Sequence, residues 1–229
     1  MSLANYPFDD AAVRYDFVNT NNNGLNIVDT LGGSPATISS TPTYNKYGLV
    51  LDGSQVISLP IEASPPTLES TTVFLAIDLT QPPNSTTMHI VQINGGLLSV
   101  NIDDVNGLTV SFGPDSISGR YFPQTGHIAL AVRANPIEKT LGVRAASENS
   151  LVYVDDIILS GYHIPDSTES FIGIDTIGTL TFCSIFHSLC SNGHVGQMFN
   201  YHHTALTNRI QGAGAPFTQH SSFQLGAFQ

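Results

Sequence analysis

The sequence predicts an all-β protein, a sandwich, jelly roll or barrel, on three observations. Helical periodicity is almost absent along the chain. Short apolar runs recur instead, separated by Gly, Pro, Asn, Asp and Ser, as strands and their turns require. The turn dipeptides fall where hairpins need them: Asp52-Gly53, Asn94-Gly95-Gly96 and Asn106-Gly107 each sit between two apolar runs, and Asn and Gly tolerate the positive φ of tight hairpin turns.

Strands are expected near Val13–Val18, Tyr47–Leu51, Gln55–Leu59, Ser70–Leu79, His89–Ile93, Leu97–Ile102 and Leu108–Phe112. Further strands follow at His127–Ala134, Thr140–Ala146, Leu151–Ile157, Glu169–Ile174 and Val195–His202. The run Val73–Leu79 is nearly continuous in apolar residues, which suits a strand in the packed middle of a sandwich, covered on both faces. Asp155-Asp156 reads as a turn dipeptide between two strand-like runs. The Pro-rich stretches Ala63–Pro66 and Gln81–Asn84 lie between strands and read as loops rather than linkers, and no repeat of 20–50 residues marks a solenoid or propeller. The chain therefore reads as one domain over residues 1–229, with 211–229 as a C-terminal arm or last strand that keeps Phe217, Phe223, Leu225 and Phe228.

Composition narrows the function classes. The 229 residues are 41% apolar, enough for a core. The formal net charge is −11, with 7 Lys plus Arg against 18 Asp plus Glu. Such a balance argues against nucleic acid, whose phosphates are bound by Lys and Arg, and against docking on anionic lipid. No run approaches the roughly 18 apolar residues of a membrane helix, and the N-terminus lacks the basic and apolar regions of a signal peptide. The expected setting is extracellular or a virion surface, which phage proteins reach by lysis without a signal.

The order of local patterns resembles the LamG-type, concanavalin A-like jelly rolls. Tyr15-Asp16-Phe17 and Leu25–Asp29 look like that family's opening, and Gly48–Gly53 followed by Val56–Leu59 like its "glycine, apolar run, Asp-Gly, apolar strand" segment. Thr72–Ile77 resembles its long central strand. Gly126–Val132 resembles the strand that often follows a Trp-His pair, with Gly126 where Trp would stand. Leu151–Asp156 is close to its "apolar, Tyr-Val-Asp-Gly" hairpin, with Asp156 in place of the Gly. Phe171-Ile172-Gly173 resembles a strand ending Ile-Gly, and Gly196–Tyr201 with Ala205–Ile210 the closing strand and short capping turn. The resemblance covers roughly residues 11–211 and implies a two-sheet antiparallel jelly-roll sandwich. It implies no single activity, because the fold serves lectins, hydrolases, adhesion modules and phage surface proteins alike.

Catalytic signatures are missing. Glycoside hydrolysis needs two carboxylates facing one bond, and the laminarinase-type branch of this fold sets them as Glu-x-Asp-x-x-Glu on one strand. Glu occurs only at Glu62, Glu69, Glu138, Glu148 and Glu169, without that spacing. There is no Gly-x-Ser-x-Gly elbow, phosphate loop or His-Glu-x-x-His. The chain is therefore not expected to be an enzyme. Cys183, His187, Cys190 and His194 form a C-x3-H-x2-C-x3-H pattern open to zinc, to a disulfide, or to two buried free thiols, and the last is favoured. Cys183–Gly193 is expected as an apolar insertion between the strands Phe171–Ile174 and Val195–His202, folded back onto the sandwich.

No cofactor is required, but Asn101, Asp103, Asp104 and Asn106 form an oxygen-rich cluster before a Gly that suits calcium, a hard ion that takes loop oxygens. A solvated turn is the competing reading of the same residues. Sugar binding wants loop aromatics beside planar polar groups, and Tyr44, Tyr121, Phe122 and Gln124 are the candidates; Tyr47 is expected in the core. Of His202-His203, one is expected to pack inward.

The expected function is a non-catalytic module binding carbohydrate, a surface polysaccharide or another surface, as part of a phage, virion or bacterial surface protein. The alternatives are a structural or assembly protein, homo-oligomeric or docked on a virion scaffold, and a glycan-active hydrolase or lyase with an unrecognised site.

Overall fold

The computed structural model describes residues 7–17, 24–66, 69–79, 87–105, 107–119, 126–147, 150–165 and 167–211. The strands run β1 Val13–Asp16, β2 Asn26–Ile27, β3 Ala36–Ile38, β4 Thr43–Asn45, β5 Gly48–Asp52, β6 Ile57–Ser58, β7 Thr71–Leu79 and β8 Met88–Ile93. They continue as β9 Leu98–Asp103, β10 Gly107–Phe112, β11 Asp115–Gly119, β12 Gly126–Asn135, β13 Thr140–Ser147, β14 Ser150–Ile158, β15 Phe171–Ile174 and β16 Ile177–Phe186. One helix, α1 Asn192–Gln211, follows.

Two eight-stranded antiparallel sheets pack as a sandwich, consistent with a jelly roll. Sheet I has the order β14-β13-β12-β7-β16-β5-β4, with β1 also on β16, and sheet II the order β11-β10-β9-β8-β15-β6-β3-β2. The centre of sheet I is built on β7 and β16. β16 pairs along its length with β7, while its other edge takes β5 at Ile177–Leu180 and β1 at Phe182–Ile185.

Between the sheets lies the main core. Val73, Leu75, Ile77 and Leu79 of β7 and Ile128, Leu130 and Val132 of β12 meet Val91, Val100, Ile102, Val110 and Ile172 of sheet II. A second core lies on the outer face of sheet I. There Phe74, Ala76, Ala129, Ala131, Ala146, Phe182 and Phe186 take Val195, Met198 and Phe199 of α1 together with Phe8. The four alanines leave the room that a helix carrying Met and Phe requires, as close packing demands. This is why Val73–Leu79 is apolar throughout: β7 is buried on both faces along its length apart from the half-buried Asp78.

Several turns follow the sequence reading. The β8–β9 turn places Asn94, Gly95 and Gly96 at φ 53, 65 and 89°, which Asn and Gly accept. Gly107 has φ 67°, while Asn106 beside it lies outside the described residues.

Five expectations are corrected. Asp52-Gly53 is a turn but not a hairpin: β5 belongs to sheet I and β6 to sheet II, so the chain changes sheets there. Asp155 and Asp156 sit within β14, where Asp156 is held by two arginines of neighbouring strands. Cys183 is not in an insertion loop: it is mid-strand in β16, facing the main core. Burial of both faces of β16, plus a bulge between Leu180 and Phe182, removed the alternation that marks a strand.

Val195–His202 is helical, not a strand. Its buried residues Val195, Met198, Phe199 and His202 recur at i, i+3, i+4 and i+7, the stripe of an amphipathic helix. Ser191 starts it as N-cap, its Oγ accepting the His194 amide at 3.1 Å. Tyr47, expected in the core, is half-buried in the β4–β5 turn, with the Lys46 ammonium 4.7 Å from its ring. That turn is closed by Asn45 Oδ1, which accepts the amides of Tyr47 and Gly48. Of the expected tail, residues 212–229 lie outside the described residues, as does the Gln81–Asn84 loop.

Candidate functional site

The two sheets differ in what covers them. The outer face of sheet I is roofed by α1, whereas among the described residues no element covers the outer face of sheet II. Period-2 alternation sends Leu98, Val100 and Ile102 of β9 and Leu108, Val110 and Phe112 of β10 inward. Ser99, Asn101 and Asp103, and Thr109 and Ser111, therefore point outward. In β8 the register shifts between His89 and Val91, so His89 and Gln92 both face out although three residues apart.

The registers align these outward residues into rows. One row crosses all eight strands: Ser116, Ser111, Ser99, Gln92, Phe171, Ser58, Thr37 and Asn26 are successive cross-strand partners. At about 4.8 Å per strand it spans about 34 Å. A second row runs Ser118, Thr109, Asn101, His89 and Ile174.

Hydrogen bonds tie the rows together. His89 Nδ1 lies 2.8 Å from Asn101 Oδ1, Asn101 Nδ2 donates to Ser99 Oγ at 3.3 Å, and the Thr109 and Ser118 hydroxyls are 3.3 Å apart. His89 Nδ1 also lies 3.4 Å from Gln92 Nε2, so the ring is held between two carboxamides, Asn101 and Gln92. The face is polar, with the half-buried Phe171 as its aromatic element. Asp103, at the end of β9, is its ionisable carboxylate. Protein surfaces ordinarily mix Lys, Arg, Glu and Asp at roughly a quarter to a third of positions. A row of hydroxyls and carboxamides suits a ligand that is itself neutral and rich in hydroxyls.

The sequence candidates fall in three places. Tyr44 is on β4, the edge strand of sheet I opposite Leu49, and so is not on the sheet II rows. Tyr121, Phe122, Gln124 and Asn106 lie outside the described residues. Asn101 is within β9 with its amide oxygen already engaged by His89, while Asp103 closes the following turn by accepting the Val105 amide at 2.9 Å, with Asp104 exposed beside it. Among the described residues no three His, Cys, Asp or Glu side chains converge as a metal site. Cys183 and Cys190 are buried free thiols, and burial pushes Cys183 up to about 12. His202 packs inward on Phe74 and Phe182, its Nε2 2.9 Å from that of His127.

His89, Gln92, Ser99 and Phe171 were not among the sequence candidates. The outward Ser-x-Asn-x-Asp of β9 and Thr-x-Ser of β10 were readable as one polar face. The bulge in β8 and the non-sequential pairing of β15 with β8 and β6 were not.

The fold places the chain in the class of two-sheet antiparallel sandwiches, and known structures agree. It superimposes on the binding domain of botulinum neurotoxin DC in complex with rat synaptotagmin II with a TM-score of 0.65 at 13% identity, over 84% of this chain and 52% of that one. A structure of botulinum neurotoxin type C, whose cell entry depends on interaction with two ganglioside molecules, gives a TM-score of 0.64 at 17% identity, over 87% of this chain and 53% of that one. The receptor-binding domain of the mosaic serotype C/D gives 0.64 at 13%, over 84% and 51%. The chain spans about half the length of each. At these identities the likeness is one of fold. No protein-family model and no curated protein sequence matches the chain.

Proposed function

We propose that this chain is a non-catalytic carbohydrate-binding sandwich of concanavalin A-like type that displays the open face of sheet II to an extended neutral glycan outside the cell. The observation that carries this reading is the uncharged row from Ser116 to Asn26, crossing eight strands with Phe171 at its centre. Saccharides offer hydroxyls to such carboxamides and hydroxyls and lay their C–H faces on an aromatic ring. The structural neighbours add support: they are binding domains, and one belongs to a toxin that depends on gangliosides. Calcium at Asp103 and Asp104, with Asn101 and Asn106 beside them, belongs to the same proposal as an aid to loop order.

A glycan array run with and without calcium tests it. Binding above background is expected, reduced at least tenfold by Phe171→Ala and by the pair Gln92→Ala with Asn101→Ala. Tyr121→Ala is the companion variant for the loop aromatics Tyr121 and Phe122 and for Gln124, and Tyr44→Ala for the far edge. An array without signal at high protein concentration, with and without calcium, refutes the reading. A stable oligomer by light scattering would then favour the assembly role.

A further inference from the structure

Beyond the end of β14 the chain keeps its alternation. Ile158, Ser160, Tyr162 and Ile164 are exposed, while Leu159 is buried and Gly161, His163 and Pro165 are half-buried. The outward apolar side chains are bare: Ile158 is 81% exposed, Ile164 73% and Tyr162 59%. The β12–β13 turn sets Ile137 beside them, 66% exposed. The two lengths of chain adjoin. Ile158 is the cross-strand partner of Thr140, and the Leu159 amide donates to Lys139 O at 2.7 Å. The Lys139 ammonium stands 4.8 Å from the centre of the Tyr162 ring, and Pro136 and Pro165 line one cleft. An exposed isoleucine standing alone is ordinary. Four large apolar side chains together are on the scale of the largest patches of monomeric proteins, about 300–600 Å².

The residues between and beneath these side chains hold them in place. Leu159 belongs to the main core. Ser160 donates its amide and its hydroxyl to Asp115 Oδ2, both at 2.9 Å. The His163 ring packs on Phe112, and its Nε2 lies 3.2 Å from the same Asp115 oxygen. Gly113 permits this approach, since a Cβ there would stand 2.6 Å from the His163 ring. In the β12–β13 turn, Asn135 Oδ1 accepts the Glu138 amide at 3.1 Å. With these neighbours anchored, and with isoleucine stiff at its first side-chain torsion, the patch has little freedom to lose when something docks on it.

We infer that the patch of Ile137, Ile158, Tyr162 and Ile164 is a self-association surface on which a second copy of this chain docks across a two-fold axis. Charge selects that occupant. Two chains of net charge −11 repel each other over most of their surface. At the patch, however, an exposed Glu138 stands next to Lys139, one of only two lysines in the chain. The carboxylates of the flanking strands are already met: Asp115 by Ser160, Asp155 by the Asp156 amide, and Asp156 by Arg133 and Arg144. A two-fold contact is self-complementary, so Glu138 of one copy meets Lys139 of the other, twice. An anionic lipid surface would instead need a cluster of cations, which the patch lacks. A patch of this area on each copy lies at the lower end of specific interfaces, so the dimer is weak and forms as concentration rises. Such a dimer carries two sheet II faces, and a repeating ligand that reaches both would be held more tightly than by one.

The test is sedimentation velocity of the wild-type chain, without glycan, from about 10 μM to about 1 mM, the range of a weak interface. A monomer–dimer equilibrium is expected. Ile158→Lys with Ile164→Lys, both at exposed positions, should raise its dissociation constant by roughly tenfold or more. Glu138→Lys and Lys139→Glu should each weaken the dimer, and the two together should restore it, because the exchanged charges again meet across the axis. Hydrogen exchange of the wild-type chain serves if a variant fails to fold: raising the concentration should protect amides of 137–139 and 158–164. A monomer at every concentration overturns the inference. So does growth beyond a dimer, a dimer that survives the folded Ile158→Lys, Ile164→Lys variant, a charge exchange that fails to restore association, or protection confined to other segments. Binding to phosphatidylcholine vesicles by a chain that stays monomeric puts lipid in the second copy's place and overturns it too. Since no glycan is present, this result and that of the glycan array stand or fall separately.

Discussion

Replacing Asp156 by Ala removes the carboxylate that holds two strands of sheet I together. Arg144 of β13 reaches across to β14 with Nη1 2.9 Å from Asp156 Oδ1 and Nη2 2.6 Å from Oδ2, a two-point pair. The Arg144 side chain is only 5% exposed, and the carboxylate 55%. Arg133 stands 3.8 Å from the same carboxylate, and burial lowers its pKa, with the neighbouring Arg144 charge as a second cause. Breaking a fully buried ion pair costs about 3–5 kcal/mol. Solvent screens more than half of this carboxylate, so the loss is about 1.5–3 kcal/mol. For a chain of this size that lowers Tm by about 3–12 °C. Urea unfolding with a double-mutant cycle is the assay. Asp156→Ala should be costly, while adding Arg144→Met to it recovers part of the loss, because the uncompensated guanidinium is gone. Asp104→Ala, in an exposed turn, should stay within about 0.5 kcal/mol. If Asp156→Ala costs no more than Asp104→Ala, or the cycle shows no coupling, the pair does not hold β13 to β14 and the reasoning fails.

Two further outcomes follow from burial. Neither Cys183 nor Cys190 should react with a thiol reagent in the native protein, and both should react in denaturant, since burial raises both thiols, Cys183 to about 12; one fast native thiol would contradict the packing of β16. Burial raises the carboxyl of Asp78 above its ordinary 3.8, so the folded chain holds that proton more tightly than the unfolded one and stability falls as pH rises through that range; Asp78→Asn should raise Tm at pH 7, with the gain fading below pH 3.8.

What the residues made legible follows from which faces are wet. Strands with one solvated face, such as β9 and β10, alternate plainly and were placed within a residue or two. β7 declared itself by continuous apolar content. β16 did not, because α1 buries its second face and the Leu180–Phe182 bulge shifts its parity. The helix was misplaced although its 195, 198, 199 and 202 stripe was in view; the same residues, Val, Met and Phe among Gly and Asn, also suit a short strand. Asp52-Gly53 gave the turn correctly, but a turn residue sets only local φ and cannot tell whether the chain returns in the same sheet or crosses to the other. For the candidate site, the polar alternation of β9 and β10 was visible, while the row that gives it length needs the pairing of β15 with β8 and β6, a contact between distant parts of the chain.

The two sheet faces explain each other. Sheet I carries Phe74, Phe182, Phe186 and four alanines outward, a surface that water would not tolerate bare, and α1, the α-helix of the described residues, covers it. Sheet II carries serines, threonines and carboxamides outward and needs no cover for stability. Water alone would be served as well by lysine and glutamate, which also keep sheets from pairing with one another. Their absence from a row of eight strands leaves a surface with few long flexible side chains to immobilise when a ligand settles, so little side-chain entropy opposes binding there. The same economy makes the face weakly specific by itself, since hydroxyls and amides accept many partners. On the proposed reading, selectivity comes from where the row meets a feature of fixed shape, Phe171 at its centre.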